Sequence, residues 1–166
     1  MSVNIALLTV TDTRTLENDK SGNILVEKIN KAKHNLVERK ICKDNKEDIK
    51  TILKEWTHKK DLDVIITTGG TGLTGRDITP EALDEIADKH IPGFGEIFRY
   101  YSLETVGTSS IQSRACAILS NGKYIFALPG SSGGVTDAWD KILVHQLDIN
   151  HKPCNFVELF PRLKEK

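Results

Sequence analysis

Apolar runs with strand character alternate with segments of helical spacing along the chain. Asn4–Val10, Asn35–Cys42 and Leu62–Thr68 are rich in aliphatic and β-branched residues and predict three strands. The second of these strands is expected near a sheet edge, because its polar and apolar residues alternate. Between the strands, apolar residues recur three and four positions apart, which predicts helices over Ser21–Ala32 and after Asp44. Ser21 is the expected N-cap of the first helix.

The same analysis assigns most of the second half of the chain. Thr79 is predicted to cap a helix whose first residue is Pro80, where a missing N–H has no cost. A further helix is expected over Phe94–Ser102, whereas the polar stretch Leu103–Arg114 has no clear period. The tail from Asp148 also lacks a period and is expected to pack along the surface.

A hairpin signal fixes the expected direction of one strand. Asn121-Gly122 separates the apolar runs Ala115–Leu119 and Lys123–Leu128, and this dipeptide is typical of a two-residue β-hairpin. Strands alternate with helices elsewhere in the chain. The pattern therefore predicts an α/β fold, a three-layer α/β/α sandwich with a mostly parallel sheet and one antiparallel strand from the hairpin.

Composition narrows the class of protein. The 166 residues are enough for one domain, expected to span 1–166, and 23 basic side chains balance 23 acidic ones. Zero net charge disfavours a nucleic-acid partner or a membrane surface, both of which call for basic proteins. Three cysteines without CxxC spacing, and an N-terminal apolar run too short to span a bilayer, favour a cytoplasmic protein.

The stretch Thr67–Ala82, TTGGTGLTGRDITPEA, is the strongest candidate for chemistry. Its glycines allow backbone N–H groups to approach an anion closely, and the following helix N-terminus adds a positive dipole. The loops Thr11–Arg14, Lys43–Asn45, Gly69–Asp77 and Pro129–Gly134 all follow predicted strands. Since ligands of such sheets bind at the carboxyl ends of the strands, these loops are expected to converge on one nucleotide-sized site.

Two familiar phosphate-binding motifs fit this stretch poorly. Gly70–Gly75 matches G-x-G-x-x-G, but the predicted helix starts only at Thr79, and the acid expected about twenty residues later falls at a helix end, which disfavours NAD binding. In the P-loop motif, Arg76 would replace the lysine and Asp77 the hydroxyl residue. The remaining hypothesis is a phosphate cradle with its own carboxylate. Asp77 would then be a Mg²⁺ ligand. In the alternative interpretation, Asp77 is an acid near a helix N-terminus, where its negative charge interacts favourably with the helix dipole.

For several other polar residues, the sequence leaves two interpretations open. Asp44 lies three residues before Glu47, at capping-box spacing, so it is either a helix cap or a metal ligand. Asp12 and Arg14 either hold a ligand or solvate a turn. Ser113 and Arg114 either contact phosphate or substrate or belong to a polar turn. No histidine and no G-x-S-x-G serine is placed for catalysis.

The chain resembles the molybdenum-cofactor biosynthesis proteins of the MoaB/Mog type. The shared segments are TVTDTR, KDN, TTGGTGLTGRDITPEAL, PGFGE, GTSSIQSRA and ALPGS, and the closing PCNF favours the MoaB branch. The resemblance implies a molybdopterin-binding α/β/α fold. It also implies an adenylyltransferase that uses ATP and Mg²⁺ to place AMP on the terminal phosphate of molybdopterin, with release of pyrophosphate.

The resemblance further implies a homotrimer or a homohexamer of two trimers, working with other proteins of the pathway. The alternative is a non-catalytic molybdopterin-binding or carrier protein. The residues that match the family's catalytic and metal-binding acids are Asp44 and Asp77. Those that match its substrate- and nucleotide-binding positions are Asp12, Gly69, Gly70, Thr71, Gly72, Ser113, Arg114, Pro129, Gly130 and Ser131. The run Ser131–Gly134 departs from the Mog-type pattern.

Overall fold

A computed structural model of the chain describes residues 1–165 and contains one six-stranded sheet with the strand order β2-β1-β3-β6-β5-β4. The edge position of β2 agrees with its alternating sequence. The strands are β1 (Asn4–Val10), β2 (Asn35–Cys42), β3 (Val64–Thr68), β4 (Lys89–His90), β5 (Cys116–Ser120) and β6 (Lys123–Leu128).

Helices connect most of these strands. They are α1 (Lys20–Lys31), α2 (Lys46–Thr57), α3 (Thr79–Asp84), α4 (Pro92–Val106), α5 (Ser132–Ala138) and α6 (Val144–Gln146), with a π-helical turn (Trp139–Leu143) joining the last two, and 3₁₀ helices at Gly107–Gln112 and Val157–Arg162. Across residues 1–165, none of the helices has the length and apolar character needed to cross a membrane.

The strand directions confirm the predicted sheet. β1 pairs in parallel with β2 and β3, and β3 pairs in parallel with β6, whereas β5 is antiparallel to both β6 and β4. Asn121 and Gly122 both have positive φ, 48° and 72°, as a two-residue hairpin turn of type I′ requires. β4 was not predicted, because a strand of two residues has no periodicity to detect.

Alternate residues of the central strands build two separate cores, one on each face of the sheet. Ile5 and Leu7 belong to one buried cluster and Ala6 and Leu8 to the other, as the two-residue period of a strand requires. Helices α1, α4 and α5 contribute to the first cluster, and α2 and α3 contribute to the second. This arrangement is the predicted three-layer α/β/α sandwich.

The C-terminal tail does more than lie along the surface, which corrects the prediction. The Phe156 ring packs against Tyr124 of β6 in a tilted arrangement, with ring centroids 4.7 Å apart, and lies 5.5 Å from the ring of Phe126. Phe160 lies 5.8 Å from Tyr124, and Val157 is fully buried. The tail therefore closes the first core. Its contacts have no regular spacing, because the segment is a 3₁₀ helix preceded by irregular chain.

A buried carboxylate, rather than Ser21, caps α1. Asp19 is 0% exposed and accepts hydrogen bonds from Thr9 Oγ1 at 2.6 Å, from Gly22 N–H at 3.0 Å and from Arg39 Nη2 at 3.0 Å. Burial by itself would raise the pKa of this carboxyl, but the hydrogen bonds outweigh burial and the pKa is lowered. Asp19 thus joins β1, α1 and β2 through one charged group.

Replacement of Asp19 by alanine should therefore destabilise the protein strongly. The helix loses its cap and Arg39 loses its partner, so we expect the free energy of unfolding at pH 7 to fall by about 3 kcal/mol. Urea denaturation measures this loss. Asp140→Ala is the control, since Asp140 pairs with Lys28 at the surface and its removal should cost less than about 1 kcal/mol.

The pH dependence of the two proteins should differ in a defined direction. The lowered pKa of Asp19 means that its contribution is present above the unfolded pKa of about 3.9 and is lost as pH falls through the folded value. The stability gap between the parent and Asp19→Ala should thus narrow in acid. An equal gap at pH 7 and pH 2 would contradict the assignment.

Candidate functional site

The four loops that were expected to converge do meet at the carboxyl ends of the parallel strands. They enclose a cavity of about 900 Å³. The lining includes most of the residues predicted for the site, namely Asp44, Gly69, Gly70, Thr71, Gly72, Asp77, Ser113, Pro129, Gly130 and Ser131. Asp12 lies beside them as the partner of Arg76, which lines the cavity.

The glycine turn after β3 depends on two positive φ angles. Gly69 has φ 102° and Gly70 has φ 69°, a conformation that residues with a side chain rarely adopt. A Cβ on Gly69 would lie 2.2 Å from the carbonyl oxygen of Val10, and one on Gly70 would lie 2.4 Å from Thr79 Oγ1. The turn therefore requires glycine at both positions.

Thr79 holds this turn and does not cap α3, contrary to the prediction. Its hydroxyl donates to the carbonyl oxygen of Gly69 at 2.9 Å, and its N–H donates to the carbonyl oxygen of Gly70 at 3.0 Å. The N-cap is Ile78, which makes no side-chain cap bond. The hydroxyl and the backbone N–H of Thr79 thus each hold one carbonyl of the turn, and the hydroxyl is not available to cap the helix.

The second glycine-rich loop touches the first through its backbone. Thr68 Oγ1 donates to the carbonyl oxygen of Pro129 at 2.8 Å, and a Cβ on Gly130 would lie 3.3 Å from Gly69 Cα. Ser131 caps α5, since its Oγ accepts from Gly134 N–H at 3.1 Å. No side chain separates the two loops at this point, so their backbones form one continuous wall.

Arg14 connects the first loop to this wall. Its Nη1 donates to the carbonyl oxygen of Gly130 at 3.3 Å and to Ser21 Oγ at 3.1 Å, and it lies 3.8 Å from Asp19 Oδ1. Arg14 and Ser21 both line the cavity. Arg14 therefore lines the candidate site and ties the first loop to its wall, while its contact with a ligand stays a prediction.

The Asp12 carboxylate is already neutralised by a neighbouring cation. Arg76 Nε lies 3.0 Å from Asp12 Oδ2, and Arg76 Nη2 lies 2.9 Å from Oδ1 and 2.7 Å from Oδ2. The backbone N–H of Asp44 also donates to Asp12 Oδ1 at 3.2 Å. The hydrogen bonds from Arg76 are the main reason that the pKa of Asp12 is lowered. This ion pair joins the loop after β1 to the loop after β3.

Asp44 is in a different electrostatic position. Asn45, not Asp44, caps α2 by accepting from Asp48 N–H at 3.1 Å, so the capping hypothesis for Asp44 is wrong. Partial burial raises the pKa of Asp44, the nearby negative charges of Asp12 and Asp77 add to the rise, and Arg76 only partly offsets it. Asp44 is thus the acid of this group whose charge is least compensated.

Asp77 is held in a fixed orientation by its own loop. Its Oδ2 accepts from Thr74 N–H at 2.9 Å and from Thr74 Oγ1 at 2.7 Å. Partial burial acts to raise the pKa of Asp77, but these hydrogen bonds and one from the backbone of Gly72 lower it overall. A Cβ on Gly72 would lie 2.8 Å from Asp77 Oδ2, so glycine leaves room for the carboxylate.

Arg114 stabilises the glycine-rich loop after β3 by hydrogen bonds to its backbone. Its Nε donates to the carbonyl oxygen of Gly72 at 2.7 Å, its Nη2 donates to that of Asp77 at 2.8 Å, and its guanidinium pairs with Glu81 of α3. Ser113 lines the main cavity, whereas Arg114 lines a smaller one beside it. The structure therefore gives Arg114 a positioning contact with the loop, distinct from the substrate contact predicted for it.

A second part of the cavity wall, eight of its lining residues, was missed by the sequence analysis. Helix α4, the 3₁₀ helix after it and α5 contribute Phe98, Ser102, Thr105, Val106, Ser109, Ser110, Gln112 and Asp137. The stretch 103–114 lacked a period because an α-helix changes there into a 3₁₀ helix. Hydroxyl residues three positions apart, Ser102 and Thr105, were the available signal for a polar face.

The acids fit a magnesium ion that is shared with a phosphate ligand. Within residues 1–165, no three metal-binding side chains lie close enough to hold an ion by themselves. Mg²⁺ commonly takes only one or two carboxylates and completes its shell with phosphate oxygens and water. Asp44 and Asp77, which both line the cavity, would supply such a pair, and a cation would offset the burial and the neighbouring negative charges that raise the pKa of Asp44.

A glycine-rich turn beside carboxylates, at the carboxyl ends of the parallel strands of an α/β/α sandwich, is typical of the class of proteins that bind nucleotides or other phosphate ligands. The family described as "Probable molybdopterin binding domain" matches residues 6–149. Molybdenum cofactor biosynthesis protein B of Escherichia coli K12 is 44% identical over 161 residues, covering 97% of this chain and 93% of that protein. The protein of the same name from Bacillus cereus is 44% identical over 146 residues, covering 87% and 86%.

Solved structures agree with these relatives. A crystal structure of molybdenum cofactor biosynthesis protein B superposes with a TM-score of 0.89 at 40% identity, covering 100% of this chain and 98% of that one. The tungsten cofactor synthesizing protein MoaB from Pyrococcus furiosus gives 0.77 at 36% identity, covering 86% and 91%. The chain belongs to the MoaB/Mog family of molybdenum cofactor biosynthesis proteins and carries its molybdopterin-binding domain.

Because its charge is poorly compensated, the ionised carboxylate of Asp44 should lower the free energy of unfolding. A raised folded pKa means that folding favours the protonated acid, so the cost is absent in strong acid and appears as pH rises above the unfolded pKa of about 3.9. Asp44→Asn should therefore raise the melting temperature at pH 7 but not at pH 3.

The same exchange at Asp48 provides the control. Asp48 lies in the first turn of α2, where its charge favours the helix dipole, so Asp48→Asn should lower the melting temperature slightly at pH 7. A lower melting temperature for Asp44→Asn at pH 7 would contradict the electrostatic assignment.

Proposed function

We propose that this protein is a molybdopterin adenylyltransferase. In the reaction, an oxygen of the terminal phosphate of molybdopterin attacks the α-phosphorus of ATP, a new P–O–P bond forms, and pyrophosphate leaves. The observation that carries the proposal is the meeting of Asp12, Asp44 and Asp77 with two glycine-rich turns at the mouth of one cavity of about 900 Å³. Family membership supplies the pathway.

The backbone of the glycine turns would orient the phosphates. The Gly69 N–H already donates to the carbonyl oxygen of Leu128 at 3.0 Å, and the backbone of Gly72 hydrogen-bonds to Asp77. The N–H groups of Gly70 and Thr71, which line the cavity, would therefore be the donors to phosphate oxygens. Arg14 and Arg76 add guanidinium groups at the same wall. Because the donors are fixed before the substrate binds, little reorganisation is needed in the transition state.

Asp44 and Asp77 would hold Mg²⁺, which neutralises charge on the phosphates and the departing pyrophosphate when it is bound. The hydrogen bonds from Thr74 keep Asp77 in one orientation, and Asn45 leaves the Asp44 carboxylate free of a capping role. A general base is unnecessary, since the attacking phosphate is already an anion. In keeping with this, all five histidines lie apart from the cavity lining.

The direct test is pyrophosphate release from molybdopterin, ATP and Mg²⁺. We expect release by the parent protein and a loss of about 100-fold or more in both Asp77→Asn and Asp44→Ala, because each variant removes a carboxylate from the metal. Asp48→Asn, at the exposed start of α2, should retain parental turnover.

The alternative is a carrier that binds molybdopterin without turnover. Binding of molybdopterin with no pyrophosphate release by the parent protein would favour this alternative and refute the adenylyltransferase. Full turnover in Asp77→Asn would refute the metal role of that residue while leaving the reaction itself intact.

We also propose that the chain forms a homo-oligomer. Helix α4 and the 3₁₀ helix after it expose five large apolar side chains, between 40 and 81% of their surface, at Ile97, Tyr100, Leu103, Val106 and Ile111. Such clustering is typical of protein interfaces. Size-exclusion chromatography with light scattering should give a trimer or hexamer, and Ile111→Glu should shift it toward smaller species. A monomeric parent protein would overturn this proposal.

A further inference from the structure

The part of the cavity wall that comes from α4, the 3₁₀ helix after it and α5 differs in chemistry from the backbone wall of the two glycine-rich loops, which we name the phosphate wall. This hydroxyl arm, as we name it, is lined by Phe98, Ser102, Thr105, Val106, Ser109, Ser110, Gln112 and Asp137. Phe98 and Val106 give it apolar surface, and the remaining side chains give it hydroxyl, amide and carboxylate groups. Small-molecule sites commonly combine apolar walls with a few polar groups that fix orientation. The arm is thus suited to a flat heterocycle with a polar edge.

Asp137 is the single carboxylate of this arm among the residues that the structure describes. Its side chain is only 12% exposed. Its Oδ2 accepts a hydrogen bond from Thr105 Oγ1 at 2.9 Å, and its Oδ1 lies 3.4 Å from Lys141 Nζ. Each carboxylate oxygen can accept more than one hydrogen bond, so both oxygens retain accepting capacity toward a ligand.

The two rings in the proposed reaction differ at the edge that a carboxylate would meet. The 2-amino-4-oxo ring of a pterin presents an amine and a ring N–H side by side, and both donate to a carboxylate. Adenine presents an amine beside an unprotonated ring nitrogen, whose lone pair would face the second carboxylate oxygen. Hydrogen bonds to a charged group contribute roughly 1.5–3 kcal/mol, whereas an unpaired acceptor is penalised.

We propose that Asp137 is the residue that selects the pterin ring, by accepting hydrogen bonds from its 2-amino group and ring N–H in the hydroxyl arm. The adenosine of ATP then lies on the Arg14 side of the phosphate wall. This inference rests on the proposed function, because it takes a pterin as one substrate. Thr105 fixes the carboxylate, and Phe98 lies beside the ring.

The experiment must distinguish the proposed recognition of the pterin ring by Asp137 from a purely structural role of the same side chain. Lys141 lies between Asp137 and Glu104, with Nζ 2.8 Å from Glu104 Oε2, and thereby ties α4 to the helix of Asp137. Glu104→Gln weakens the same tie without changing the cavity lining. Asp140→Asn makes the same chemical exchange three residues along the helix, at an exposed pair with Lys28.

The experiment compares pterin with lumazine, the same bicycle with a 2-oxo group in place of the 2-amino group. Equilibrium binding by ligand fluorescence gives the dissociation constant of each ring for the parent protein and the three variants. We expect the parent, Glu104→Gln and Asp140→Asn to prefer pterin by roughly tenfold, the size of one charged hydrogen bond. In Asp137→Asn the preference should vanish or invert, because an amide pairs with the lumazine edge. The affinity for ATP should stay unchanged in every variant.

Two results would overturn the inference. If Asp137→Asn retains the parental preference for pterin while it binds ATP normally, Asp137 does not read the ring, and the adenylyltransferase proposal is unaffected. If Glu104→Gln loses the preference as fully as Asp137→Asn, the effect belongs to the Lys141 tie. Failure of the parent to bind pterin at all would overturn the inference and the pterin part of the proposed function together.

Discussion

The close approach of the backbone at Gly69 is the constraint on which the rest of the site depends. A side chain there would meet the end of β1, and the neighbouring Gly130 lies against the same residue. Because this contact is purely backbone, three strand ends can meet with no side chain between them. The acids and the phosphate wall then take their positions from strand geometry, which is far more rigid than a surface loop.

The three acids near this contact differ in how far neighbouring groups compensate their negative charges. Arg76 neutralises Asp12, Thr74 stabilises the charge of Asp77, and Asp44 is left in the combined field of the other two. Perturbed pKa values cluster at functional sites, and under the proposed metal role a bound cation would relieve the unfavourable electrostatics of Asp44. The proposed metal role would then exchange some stability of the free protein for affinity toward the ion.

The sequence was sufficient for the architecture and less so for side-chain roles. The bounds of β1 and β2, the hairpin at Asn121 and the convergence of the loops followed from periodicity and turn chemistry, which are local. The roles of Asp44 and Thr79 could not be read from the sequence, because tertiary contacts determine which side chain hydrogen-bonds to a given backbone group. The hydroxyl arm escaped detection because its residues come from distant segments and share no common spacing.

The aromatic packing of the tail has a consequence for where this fold ends. The recognisable family segment stops at residue 149, yet Phe156 and Phe160 lie on the rings of β6 beyond that limit. Aromatic residues that close the first core therefore lie outside the matched domain. A chain shortened at 149 would leave the Tyr124 ring uncovered next to β5, so the matched domain by itself lacks part of the packing of its own sheet.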